Sequence, residues 1–274
     1  MKYYDATKKR LVFTGSPATP DFWDNHWNTD NSIKTVLSSV KNTMVSRITA
    51  KYLKPQEGVI LEGGCGSGFN VMSLVNNGYR CIGVDYAPKT IEHLKKFVPE
   101  LEVELADVRE LPFKDNSFSG YWSWGVIEHF YDGFDGVLRE MCRVVKGGGY
   151  IFLVFPHFSL LRRLKAKCGF FPAWDIKEQN IFYQFAFLSN PAVEYFKSNG
   201  FELKKTMPFD GIKGVKSEIG FLRSPLQKLY SYKGNSLLLK IIIKATDILT
   251  SFWAGHSILL IFRKSDDDRG TEKQ

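Results

Sequence analysis

From Gly58 onward the chain alternates short apolar runs with amphipathic stretches. Val59-Ile60-Leu61 is apolar throughout, as expected of a strand covered on both faces, and Cys81-Ile82-Gly83-Val84 and Tyr150–Phe155 repeat the pattern. Between them lie helical stripes. One runs through Val71, Met72, Leu74 and Val75 and stops at Gly78; the next carries Ile91, Leu94 and Val98 behind Pro88, a residue suited to a first helical turn. A third sets Leu138, Met141, Cys142 and Val145 against Arg139, Glu140 and Arg143, with Gly147-Gly148-Gly149 offering a left-handed cap. Leu101, Val103 and Leu105 alternate with Glu102 and Glu104, which predicts a half-exposed strand at a sheet edge. Phe118–Trp124 reads as a further strand, and Pro156 closes the run from Tyr150. Strands alternating with helices at this spacing predict an α/β fold, doubly wound about a mostly parallel sheet with right-handed crossovers.

The flanks are less regular. The first 30 residues are aromatic and polar, with Pro17 and Pro20 breaking any long helix. Ile33, Val36, Leu37, Val40, Met44 and Ile48 then predict one helix ending near Leu53, ahead of Pro55. After Pro156 come a basic cluster (Arg162, Arg163, Lys165, Lys167) and the aromatic segment Ile181–Phe187. A helix from Ser189 to Gly200 and the strand Phe201–Met207 follow, then a Gly/Lys-rich stretch. Residues 236–253 predict an amphipathic helix with Lys240, Lys244, Asp247 and Ser251 along its polar edge. Ser257–Phe262 is a last strand, and the acidic tail from Asp266 is expected to be disordered. The implied organisation is an N-terminal cap over 1–56, a ligand-binding core over 57–156, a segment over 157–264 that completes the same domain, and a tail over 265–274.

Composition changes this picture little, whereas charge changes it more. At 44% hydrophobic and 24% charged the chain is globular in character. Residues 1–156 balance 18 Lys+Arg against 18 Asp+Glu, but residues 157–274 hold 19 against 11, so the net charge of +8 lies wholly in the second half. Such a field suits anionic partners, or serves only as a solubilising surface. The opening Met1-Lys2-Tyr3-Tyr4-Asp5 leads into no apolar stretch, no run spans a membrane, and the four cysteines are scattered. A cytoplasmic location is the expectation. No cluster of His and Cys has metal-ligand spacing, so no metal is expected.

The chemistry concentrates at Val59-Ile60-Leu61-Glu62-Gly63-Gly64-Cys65-Gly66-Ser67-Gly68. Glycines at the carboxyl end of a first buried strand let backbone approach a ligand without Cβ interference. A dinucleotide turn needs G-x-G-x-x-G, but Phe69 and Val71 stand where the third glycine would fall; a phosphate-binding P-loop lacks its Gly-Lys-Ser/Thr. What stands is Glu-x-Gly-x-Gly-x-Gly. Asp85 ends the second strand, where a carboxylate can accept from both hydroxyls of a ribose. Asp107 ends the third and could accept from an adenine amino group while the Val108 N–H donates to the ring. Each has a plain reading as a loop carboxylate or helix cap; together they mark the ligand-binding edge of an open parallel sheet.

The segment Glu62–Pro156 resembles the class I S-adenosylmethionine-dependent methyltransferases, and specifically the type 11 small-molecule group. The resemblance rests on the glycine motif with Gly83-Val84-Asp85, Ala106-Asp107-Val108, Leu111-Pro112-Phe113, Glu128-His129 and Arg143–Gly149, in the family's order. It implies a seven-stranded Rossmann-like sheet with cap insertions in its N-terminal and C-terminal parts, and S-adenosylmethionine as cofactor. It places Gly64, Gly66 and Gly68, with Cys65, against the methionine part and Glu62 near its amino group. Asp85, with the adjoining Tyr86, would hold the ribose, and Asp107 and Val108 the adenine. Two departures stand out: Ser119 where Asp is usual after Phe118, and Glu62 where Asp is commoner.

Ser123 and Trp124 lie where the fourth strand reaches the methyl donor; Trp124 could wall the sulfonium by a cation–π contact or belong to the core. His129 is the candidate general base, with a structural histidine at a helix start as the alternative. Trp23, Trp27, Tyr183 and Gln184 are the candidate acceptor residues. A small-molecule acceptor follows, possible classes being a nucleotide-linked sugar, a lipid precursor or a quinone precursor. A nucleic-acid methyltransferase would explain the basic half but lacks an Asn-Pro-Pro-Tyr-type motif; a non-catalytic cofactor-binding partner subunit is the other alternative. The apolar residues of 236–253 either pack on the sheet or meet an anionic membrane surface.

Overall fold

The computed structural model describes residues 1–27, 37–174 and 181–266. Its elements begin with strands β1 (Lys2–Asp5) and β2 (Arg10–Thr14) and helices α1 (Pro20–Trp27) and α2 (Met44–Thr49). There follow β3 (Ile60–Gly63), α3 (Phe69–Val75), β4 (Cys81–Asp85), α4 (Pro88–Phe97), β5 (Glu102–Leu105), β6 (Phe118–Trp124), α5 (Asp135–Val144) and β7 (Val145–Pro156). The second half adds α6 (Leu160–Lys167), β8 (Phe182–Ala186), α7 (Asn190–Ser198), β9 (Phe201–Phe209), α8 (Gly211–Glu218), α9 (Arg223–Tyr230), α10 (Leu237–Ala254) and β10 (Ser257–Lys264).

Seven strands form a mostly parallel sheet in the order β5-β4-β3-β6-β7-β10-β9, with β5 at an edge as its alternating pattern requires. The pairs β3–β4, β3–β6 and β4–β5 are parallel. The chain runs outward from β3 through β4 to β5 and then returns to β6 on the other side of β3. That reversal opens a crevice at the carboxyl ends of β3 and β6.

Two compact units divide the chain. One holds residues 18–153, 192–204 and 261–274, the other 1–17, 154–191 and 205–260. In the first, Trp122 is fully buried, stacks on Phe152 with ring centroids 4.5 Å apart, and donates its indole N–H to Thr49 Oγ1 at 2.9 Å. In the second, β1, β2 and β8 make a three-stranded antiparallel sheet that the aromatic pattern did not disclose. Leu11, Phe158, Ala166, Phe171 and Ala186 form a core there. Arg162 of the basic cluster is 1% exposed: its Nε donates to Glu218 Oε1 at 2.9 Å, and Lys2 Nζ donates to the same oxygen at 2.7 Å.

Three other expectations change. The single helix from Ile33 to Leu53 is interrupted (Ile33 and Val36 lie outside the described residues). The carbonyls of Val40 and Lys41 are taken by the Asn76 and Asn77 side chains, and Thr43 starts α2 afresh through a capping box with Ser46. The glycines 147–149 lie inside β7 instead of capping α5; the Cys142 and Val145 carbonyls there accept from Lys264 Nζ at 3.0 and 2.9 Å. The Gly/Lys-rich stretch is helix α8, whose glycines allow contact with α10: a Cβ on Gly214 would stand 1.6 Å from the Ala254 carbonyl oxygen. Of the predicted tail, residues 267–274 lie outside the described residues.

Candidate active site

The Glu62–Gly68 loop is shaped by backbone demands. Gly64, Gly66 and Gly68 all have positive φ (74°, 48° and 73°), a region that penalises side chains. Space forbids them as well. A Cβ on Gly64 would lie 2.5 Å from Val126 Cγ2, and one on Gly66 would lie 2.6 Å from the Trp27 indole. The loop is fastened to the end of β4, where Gly66 N–H donates to Asp85 Oδ2 at 2.8 Å and Ala87 N–H to Oδ1 at 3.0 Å. Burial raises the Asp85 carboxyl above its ordinary range, and these backbone donors oppose the rise.

Helix α1 lies over this edge. Asp24 Oδ1 accepts from both the N–H and the hydroxyl of Thr90, at 2.8 and 3.0 Å, and Tyr86 donates its hydroxyl to the Ala18 carbonyl at 2.5 Å. The anchored helix presents Trp23 and Trp27, nearly parallel with centroids 6.0 Å apart, and the Trp23 ring meets His129 edge to face at 5.0 Å.

These groups surround one cavity of about 320 Å³. Gly64, Asp85, Tyr86, Asp107, Val108 and Trp124 line it among the expected cofactor residues, with Trp23, Trp27 and His129 among the expected acceptor and catalytic ones. Trp124 therefore faces the cavity, while its neighbour Trp122 belongs to the core. Glu62, Cys65, Gly66, Gly68 and Ser123 are buried and outside the lining. Tyr183 and Gln184 lie on β8 and do not line it.

Two carboxylates show what the site is prepared to receive. Glu62 accepts from Asn70 Nδ2 at 2.8 Å through Oε1, but its buried Oε2 has no partner, and burial pushes the carboxyl up to about 8. A cationic donor such as an amino group would satisfy that oxygen. Asp107 differs: Arg109 grips it with Nη2–Oδ2 at 2.6 Å and Nε–Oδ1 at 3.0 Å, which holds its carboxyl below the usual range. The sequence reading missed Arg109 and the wall Val126, Phe130, Tyr131, Asp132 and Gly133. The Glu128-His129 pair pointed at that loop without naming its other residues. It also gave Glu128 no role, although Glu128 is buried, lacks a partner at Oε2 and is pushed up to about 8 by burial. Among the described residues no group of three His, Cys, Asp or Glu could hold a metal ion.

Left-handed glycines, an unpartnered buried carboxylate oxygen and acidic ends on β4 and after β5 fit S-adenosylmethionine: Glu62 for the amino group, Asp85 for the ribose, Asp107 and Val108 for the base. The comparisons point to the same cofactor. Residues 61–153 match a family model described as a methyltransferase domain, Methyltransf_11. A Mycobacterium tuberculosis protein named "Probable S-adenosylmethionine-dependent methyltransferase" is 30% identical over 148 residues, 54% of this chain and 49% of that one. A "Ubiquinone biosynthesis O-methyltransferase" of Methylocella silvestris is 30% identical over 118 residues, 41% of this chain and 44% of that one. The chain thus spans about half the length of the curated relatives it matches. A solved S-adenosylmethionine-dependent methyltransferase of Methanosarcina mazei shares the fold with a TM-score of 0.54 at 18% identity, covering 80% of this chain and 97% of that one. Residues 61–153 are thus similar to the class I S-adenosylmethionine-dependent methyltransferase domains of the type 11 group, and the fold is a Rossmann-like sheet.

Proposed function

We propose that this chain transfers the methyl group of S-adenosylmethionine to a small, planar acceptor bearing a hydroxyl or amine. The observation that carries this reading is a cavity in which Gly64, Asp85 and Val108 share the lining with the aromatic residues Trp23, Trp27 and His129. The bound cofactor supplies a methyl carbon on a sulfonium, which needs in-line approach of a nucleophile and little else. The protein supplies alignment and dryness. The loop at Gly64–Gly68 and Asp85 fix the donor, Trp23 and Trp27 exclude water and stack against the acceptor, and His129 takes the acceptor's proton. The likeness to an O-methyltransferase of ubiquinone biosynthesis supports a phenolic acceptor. An anionic acceptor draws its support from the basic second half alone, because Arg109 in the cavity is held by Asp107 while Asp85 and Asp132 add negative charge. The test incubates the full chain with labelled cofactor and a panel of phenols, catechols, amines and nucleotide sugars, and follows transfer and the demethylated product by mass spectrometry. Transfer to a planar hydroxylated compound, lost in Trp23→Ala with cofactor binding retained, supports the reading; transfer to none of the panel by a chain that binds the cofactor contradicts it.

A further inference from the structure

Helix α10 is turned inside out. Its face toward α8 is largely small and polar: Asp247 Oδ1 accepts from the Ile212 N–H at 2.9 Å, Ser251 and Ala254 are buried, and Gly211 would strike the Ser251 nitrogen at 2.3 Å if it carried a Cβ. The opposite face holds Leu237, Leu238, Ile241, Ile242, Leu249 and Phe252, and it is open to solvent, with Leu237 at 71%, Leu238 at 69% and Phe252 at 74% exposure. At 100° per residue these six fall on one stripe, flanked along one edge by Lys244 and, beyond it, Lys240. The sequence reading left this face either packed on the sheet or meeting an anionic membrane surface; the structure leaves it open and instead buries Ser251, with Asp247 half-buried, both of which had been assigned to the polar edge. A contiguous exposed apolar stripe of this size marks an interaction surface.

Charge identifies the partner. Residues 205–260 carry eight Lys and Arg against three acidic residues. Those three are engaged: Glu218 with Arg162 and Lys2, Asp247 with the Ile212 backbone, and Asp210 beside Lys213. The surface around the stripe is therefore cationic as well as apolar. An exposed apolar stripe beside lysines gives α10 the character of a helix lying in an interface plane. We infer that the exposed face of α10 docks the protein peripherally on an anionic lipid surface, with Leu238, Ile241, Leu249 and Phe252 entering the acyl boundary and Lys240 and Lys244 meeting lipid phosphates. This does not depend on the methyltransferase reading.

The experiment is co-sedimentation of the full chain with vesicles of phosphatidylcholine alone and of phosphatidylcholine mixed with phosphatidylglycerol, at low and moderate salt, with light scattering of the lipid-free protein. The expected result is binding to the mixed vesicles that weakens with salt. Lys240→Gln with Lys244→Gln should reduce it roughly twenty- to thirty-fold, from about a fivefold loss per cation. Leu238→Glu with Leu249→Glu, at positions already in water, should abolish it while leaving the circular dichroism spectrum and melting temperature unchanged. Three results overturn the inference: no binding to either vesicle, equal binding to both, or a lipid-free dimer that dissociates in the Leu238→Glu, Leu249→Glu variant, which would give the face to a second copy of the chain.

Discussion

Asp85 accepts the Gly66 N–H at 2.8 Å, so the residue assigned to the ribose also sets the shape of the glycine loop. Its removal should cost binding twice, through the lost ribose contact and through release of Gly66. Asp85→Ala is expected to weaken binding of S-adenosylmethionine by about 1.5–3 kcal/mol, the range for hydrogen bonds to a charged group. Calorimetry checks this, with circular dichroism confirming that the variant is folded; unchanged affinity would remove Asp85 from the site.

Trp27 over Gly66 gives a second, coupled prediction. Gly66→Ala places a Cβ 2.6 Å from the indole at a backbone φ of 48°, so it should both strain the loop and displace α1. Adding Trp27→Ala removes the clash and leaves only the left-handed penalty of about 1–2 kcal/mol. The double variant should then bind the cofactor better than Gly66→Ala alone. Additive losses in a double-mutant cycle would show that the two residues do not meet.

The Glu62 carboxyl gives the site a pH dependence. With its native value about 8 against 4.5 ordinarily, the folded chain keeps a proton that the unfolded chain has lost between those values. The stability due to this group is thus present below about 4.5 and is lost as pH rises through about 8. An ammonium docking at Oε2 favours the ionised form, so cofactor binding expels that proton. Affinity should rise between about pH 6 and about pH 7.5, below the range where an α-amino group itself deprotonates. In Glu62→Gln the slope should flatten and the chain should become more stable at alkaline pH. A wild-type affinity flat across that range would contradict the assignment.

Glu218 is the counter-charge to Arg162, Lys2 and Lys165. Burial alone raises its carboxyl, but the Arg162 and Lys2 charges outweigh that and hold it below the ordinary 4.5. Its contribution is therefore present at neutral pH and is lost as pH falls through that depressed value. Glu218→Gln leaves a guanidinium buried without a counter-charge and should cost about 3–5 kcal/mol in denaturant unfolding.

The sequence disclosed the glycine loop and the carboxylates at this end of the sheet because their demands are local. Buried strands must be apolar, the turn after β3 must be glycine, and carboxylates must end β4 and follow β5. Where partners are distant in sequence it was silent. Gly211 and Gly214 looked like a loop because the helix they permit is visible only against α10. The apolar stripe of α10 looked like a core face because periodicity fixes which residues share a side, not which side turns inward. Lys264 capping Cys142 and Val145, and Asn76 and Asn77 interrupting the helix before α2, are contacts that no local pattern records. The aromatic segment at β8 gave no sign that its partner was β2, some 170 residues away.

The central claim is that the crevice at the carboxyl ends of β3, β4 and β6 holds S-adenosylmethionine. Titration calorimetry of the full chain with S-adenosylmethionine, its demethylated product and NAD tests it most directly. Saturable one-to-one heat is expected with both sulfur nucleotides, diminished in Asp85→Ala, and none with NAD. No heat with either sulfur nucleotide, or saturable binding of NAD at the same site, would contradict it.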